Sequence, residues 1–138
     1  PVRVIELPAG SGVGYDATFV TARPSRIATL PIGYGDGWTR AYSNRAAALV
    51  RGRRVPLVGN VAMDAVMADV TDVPGPPVTV DDEFVLLGEQ GAERIVAADL
   101  ARARGSNAWE VVTTISRRVS RLYVEAGRPV GVRTLVRG

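Results

Sequence analysis

AAALVRGRRVPLVGNVAMDAVMADV, residues 46–70, decides how the chain folds. Its first part, 46–59, holds two apolar runs broken by Arg51-Gly52-Arg53, the layout of a hairpin that turns near the glycine. Its second part, VAMDAVMADV at 61–70, is apolar at odd and even positions alike, which fits a strand buried on both faces. Further strand runs lie outward on either side. Upstream are VRVIEL (2–7), GYDATFV (14–20) and RIATLPIG (26–33), with the turn PAGSG after the first. Pro24 and Pro31 limit where these can pair centrally, because proline has no N–H to give a ladder. Downstream, the loop TDVPGPP leads to DEFVLLG (82–88), and RLYVEAG (121–127) and VGVRTLV (130–136) finish the chain as strands.

Two helices interrupt the strands. VAADLARARG (96–105) is built of good helix formers and stops at Gly105. The next begins at Asn107, a capping residue, with Glu110 three positions on as in a capping box. Val112, Ile115 and Val119 then fall on one helical face. Short strands between Gly/Pro turns, with one small helical insertion, predict a mainly β, sandwich-like or barrel-like domain spanning 1–138.

Composition removes whole classes of chemistry. The chain has 138 residues, 46% of them hydrophobic, enough for a globular core. No apolar run approaches the roughly 20 residues of a membrane helix. The start, PVRVIELPAG, lacks an initiator Met and the layout of a signal peptide, so a piece of a longer chain is expected. There is no cysteine and no histidine, which excludes disulfides, thiolate nucleophiles and histidine-based metal or acid–base sites. All 17 basic residues are arginine. Without lysine, no side chain here can form a Schiff base with a pyridoxal phosphate or a carbonyl substrate, and there is no P-loop lysine. The net charge of +3 and the pI near 9.9 invite a nucleic-acid reading. The arginines are scattered, however, with only RGRR (51–54) and RR (117–118) as clusters, the pattern of a solvated surface.

Three places break the pattern. IGYGDGW (32–38) is a glycine-rich loop that lets backbone come very close to something, and its spacing does not match the dinucleotide fingerprint. Tyr15 is flanked by Gly12 and Gly14, so it is either a half-buried aromatic or a group on a sharply bent backbone. Ionising a tyrosine near pH 7 costs roughly 4 kcal/mol unless positive charge stands nearby. Asp64 lies inside an apolar run, and a carboxylate buried there needs an arginine partner or a place on a site wall. Both readings of Asp64 stay open on composition and pattern alone.

Longer stretches carry a resemblance. VGYDATF, the run from RPSRIATLPIGYGDGWTRAYSN through RGRRVPLVGNVAMDAVMADVTDVPG, and SNAWEVVTTISRRVSRLYV follow in unbroken order. Together they resemble the C-terminal domain of the bacterial alanine racemase family, over about residues 3 to 124. That resemblance implies a barrel-like or Greek-key β domain preceded by a (β/α)8 barrel that is absent from this chain. It implies a cytoplasmic, head-to-tail homodimer interconverting L- and D-alanine for peptidoglycan synthesis, with pyridoxal 5'-phosphate on a barrel lysine. This domain would close the partner subunit's active site. Carried over by motif, Tyr15 matches the catalytic tyrosine. Tyr34 and Arg40 match residues lining the substrate corridor. Met63 matches the residue whose backbone N–H meets the substrate carboxylate, and Asp64 an acidic corridor residue. Trp109 aligns with a tyrosine that contacts the cofactor phosphate.

The chain departs from the family pattern at four places. Trp109 keeps one N–H donor but has no hydroxyl. Asn107 replaces an apolar residue, and Asn60 stands where a basic residue is common. Asp16 replaces a glycine beside Tyr15, where its carboxylate opposes negative charge on the phenol unless it points away. A non-catalytic dimerisation or binding module derived from the family is the alternative reading.

Overall fold

The computed structural model describes residues 1–135. Its strands are β1 (Arg3–Leu7), β2 (Gly12–Val13), β3 (Phe19–Val20), β4 (Ser25–Leu30), β5 (Ala47–Val50) and β6 (Arg53–Val58), followed by β7 (Val66–Asp69) and β8 (Phe84–Val85). After these come β9 (Gly88–Gln90), β10 (Glu93–Ile95), helices α1 (Ala97–Arg104) and α2 (Ala108–Thr113), and strands β11 (Arg121–Glu125) and β12 (Arg128–Arg133).

Arg51 and Gly52, at φ 50° and 69°, close the two-residue turn of the β5–β6 hairpin. Positive φ at both positions matches the twist of the flanking strands. β6 then pairs with β7, β7 with β4 and β4 with β1, while β8 caps the other edge on β5. Every one of these pairings is antiparallel. The result is one curled six-stranded sheet, in keeping with the mainly β, barrel-like expectation.

The main core lies against Ala28, Leu30, Leu49, Leu57, Val66 and Ala68. Leu100 and Ala101 of α1 and Val111 of α2 close over it. A smaller cluster of Val13, Ile27 and Val58, with Phe19 and Met67 packed against it, brings the β2–β3 hairpin onto the sheet. Each fully buried leucine or valine contributes about 1.5–3 kcal/mol.

Several boundaries differ from the sequence reading, for local reasons. The expected strand at 14–20 is interrupted by a 3-10 turn at Tyr15–Ala17, because Gly14, Asp16 and Ala17 all take positive φ. The expected strand at 61–70 is only β7, which buries Val66 and Ala68 and leaves Met67 and Asp69 half-buried. The expected strand at 82–88 splits into β8 and the start of β9, and the short β9–β10 hairpin had no counterpart in the reading. α2 stops at Thr113, so Val112, Ile115 and Val119 form no helical stripe, and Val111 is the buried residue. Asn107 does cap α2, accepting from the Glu110 N–H at 2.9 Å. Glu110 does not return the bond, because its carboxylate pairs with Arg104 instead. β11 and β12 form a hairpin, and Val136, at the end of the expected last strand, lies outside the described residues.

The glycine loop at 32–38 answers its own question. Gly33 lies against the backbone of 62–64, where an added Cβ would stand 2.2 Å from the Ala62 carbonyl oxygen. Tyr34 and Gly35 donate their N–H groups to the carbonyls of Ala62 and Met63 at 3.0 and 2.9 Å. Gly37, at φ 96°, lies equally close to the end of α2, with the Thr114 carbonyl oxygen 2.1 Å from an added Cβ. The loop is thus a joint between segment 62–64 and α2. Gly37→Ala should lower stability by about 3 kcal/mol or more, since both φ and sterics oppose it. Gly10→Ala, at φ 83° with open space around it, is the control for φ alone. Equal shifts of the two urea midpoints would mean that close packing at Gly37 adds nothing.

Candidate active site

The loop joint sets what surrounds Tyr15. Once 62–65 leaves the sheet to pair with the glycine loop, Ala62, Met63 and Asp64 stand beside Tyr34 and Arg40. The β2–β3 turn brings Tyr15 to the same place. Tyr15, Tyr34, Arg40, Ala62, Met63 and Asp64 line one open concavity of about 310 Å³. Five of the six residues singled out from the sequence therefore converge. Trp109 does not join them: it sits on the first turn of α2, 79% exposed.

Exposure in this concavity is high for such apolar residues. Tyr15 is 68% exposed, Met63 58% and Tyr34 43%. Asp64 is also exposed, which removes the expectation of a buried carboxylate inside a strand. It takes part in no ion pair among the described residues, so the wall position rather than an internal pair describes it. The Met63 carbonyl is taken by Gly35, and its N–H has no backbone partner among the described residues.

Two groups that sequence reading passed over support this wall. Asp36 is buried, accepts from the Gly33 N–H at 2.9 Å and pairs with Arg118 Nε at 2.7 Å. Arg118 thus ties the final segment to the loop that carries Tyr34. The RR pair at 117–118 is its only signal in the sequence, where it looks like solvated surface. Behind the loop, burial pushes the Tyr42 hydroxyl above its ordinary value. Burial also works against the neighbouring Arg104 charge, but the Tyr42 hydroxyl and the Glu110 carboxylate outweigh it and hold Arg104 protonated.

Asp16 and Asn60, two of the departures from the family pattern, meet each other. The Asn60 side-chain amide donates to the Asp16 carboxylate at 3.2 Å and to the Tyr15 carbonyl at 3.1 Å. Asp16 itself sits at φ 63°, a conformation that suits glycine and that aspartate tolerates better than most residues.

The antiparallel β domain thus presents two exposed tyrosines, an arginine and the Met63 backbone N–H around one open concavity. The profile of the family described as "Alanine racemase, C-terminal domain" matches residues 2–123, and the chain belongs to that family as its C-terminal domain. It is 50% identical over 122 residues to the alanine racemase of Halothermothrix orenii, covering 88% of this chain and 32% of that protein. Among solved structures, the alanine racemase of Bacillus anthracis with bound L-Ala-P superposes with a TM-score of 0.88 at 37% identity, over 95% of this chain and 33% of that one. The Bartonella henselae alanine racemase with covalently bound pyridoxal phosphate gives 0.78 at 31% identity, over 89% and 33%. The chain thus spans about a third of the length of these relatives. No helix among the described residues is long and apolar enough to cross a membrane.

Proposed function

We propose that this chain is the part of a cytoplasmic alanine racemase that completes the active site of a partner subunit in a head-to-tail homodimer, serving D-alanine supply for peptidoglycan. The observation that carries the reading is the convergence of Tyr15, Tyr34, Arg40, Met63 and Asp64 on one concavity. Pyridoxal 5'-phosphate, when bound, supplies an electron sink that acidifies the α-carbon of alanine. The residues here fit its edge but not its anchor. No lysine is present, and Trp109, the one indole N–H that the resemblance aligns with the phosphate contact, stands apart from the concavity.

Inversion at a carbon needs an acid–base group on each face. Tyr15 serves one face: ionised, its phenolate oxygen takes the α-proton of one enantiomer and becomes the hydroxyl, which returns that proton to make the same enantiomer in the reverse direction. A lysine outside these residues serves the other face. The Met63 N–H orients the substrate carboxylate, while Tyr34, Arg40 and Asp64 line the approach.

The test is a labelling experiment. This chain, mixed with pyridoxal phosphate and reduced with borohydride, should gain no adduct except at its N-terminal amine. The full-length enzyme should gain one on a lysine outside residues 1–138 and should racemise alanine. A full-length protein that neither loads the cofactor nor racemises alanine would favour the non-catalytic module.

A further inference from the structure

We infer that Asn60 and Asn44 form a two-point clamp that sets the position of Tyr15, with Asp16 as the clamp's own anchor. The inference rests on the reading of Tyr15 as an acid–base group. Tyr15 is 68% exposed, so little packing holds its ring, and its aim is set by the backbone turn beneath it. That turn is unusual. Asp16 and Ala17 both take positive φ, at 63° and 44°, which side-chain-bearing residues hold only when their surroundings impose it.

The contacts that impose it come from two asparagines. Asn60 Nδ2 carries two N–H donors and finds two acceptors, the Tyr15 carbonyl and the Asp16 carboxylate, at 3.1 and 3.2 Å. Asn44 Oδ1 accepts the Gly59 N–H at 2.6 Å, which fixes the amide's orientation, and its Nδ2 donates to Thr18 Oγ1 at 3.2 Å. One asparagine therefore holds the start of the turn and the other its end. Gly59 links them, since it precedes Asn60 and is itself held by Asn44. The backbone of Asn60 also packs on the turn, with its nitrogen 3.3 Å from where a Cβ on Gly14 would stand.

Donor chemistry, not size, is what the clamp requires of residue 60. Asn60→Asp is nearly isosteric but replaces the donor with an acceptor, facing the Tyr15 carbonyl and a second carboxylate. Asn60→Arg is much larger but keeps N–H donors for both acceptors. In the full-length enzyme, Asn60→Asp should lower kcat about 10- to 100-fold with KM for alanine changed less than about threefold. Asn60→Arg should stay within about threefold of wild type in both. A space-filling role predicts the opposite order.

A second readout separates positioning from general damage. In deuterated buffer, Asn60→Asp should slow α-hydrogen exchange of one enantiomer more than the other, and it should be the same enantiomer that Tyr15→Phe affects most. Equal slowing of both, or Asn60→Arg as poor as Asn60→Asp, overturns the clamp. If Tyr15→Phe is inactive while Asn60→Asp runs at the wild-type rate, the clamp falls and the racemase reading stands. If Tyr15→Phe is itself fully active, both fall.

Discussion

Tyr15→Phe in the full-length enzyme should cut racemisation by a factor of about 10² or more and leave cofactor loading intact. The substitution removes one oxygen from a residue that is 68% exposed and held by its backbone, so it takes away almost no packing. Loss of stability therefore cannot account for a large rate loss, and urea midpoints of the two proteins should agree closely. The defect should also be lopsided, with the α-hydrogen of one enantiomer exchanging far more slowly than that of the other. The group on the opposite face is untouched and continues to exchange its own proton. Near wild-type rates in both directions would reduce Tyr15 to a surface aromatic and withdraw the proposed function with it.

The ease with which the sequence could be read varied with how local the cause was. The β5–β6 hairpin was legible because two apolar runs flank Arg51-Gly52, and the turn needs nothing beyond those residues. Gly105 as the stop of α1 and Asn107 as the cap of α2 were legible for the same reason. The strand around Asp64 was drawn too long because the apolar run at 61–70 looks continuous, whereas only Val66–Asp69 is strand. What breaks it is a partner far off in sequence: the Tyr34 and Gly35 N–H groups take the Ala62 and Met63 carbonyls. Arg118 and Glu110 failed similarly, since each found a charge of opposite sign that pattern alone cannot bring near, Asp36 for one and Arg104 for the other.

Pattern alone singled out Tyr15, the glycine loop that carries Tyr34, and Asp64, while Arg40, Met63 and Trp109 and every role came from the resemblance. Tyr15, Tyr34 and Met63 are all exposed around one concavity. Asp16 is the instructive case. Beside Tyr15 it looked like an obstacle to negative charge on the phenol. In the structure its carboxylate accepts from the Asn60 amide, so two of the departures from the family pattern are in direct contact.

Mixing two dead variants should restore activity, and the amount recovered tests whether this domain serves its neighbour. One full-length variant lacks the lysine that holds the cofactor; the other is Tyr15→Phe. Each homodimer has no working site, because every site contains the one defect its variant carries. Unfolding and refolding the two together pairs subunits at random, so about half of the dimers are mixed. If Tyr15 reaches across to the partner, one site of a mixed dimer collects both defects and the other receives an intact lysine and an intact tyrosine. The pool then regains about a quarter of wild-type activity, one good site in half of the dimers. If Tyr15 instead completes a site in its own subunit, every site in every dimer keeps one defect and the mixture stays inactive. Sedimentation must first establish that the refolded pool has re-paired. A re-paired pool without activity would leave Tyr15 facing its own subunit and would end the shared-site proposal.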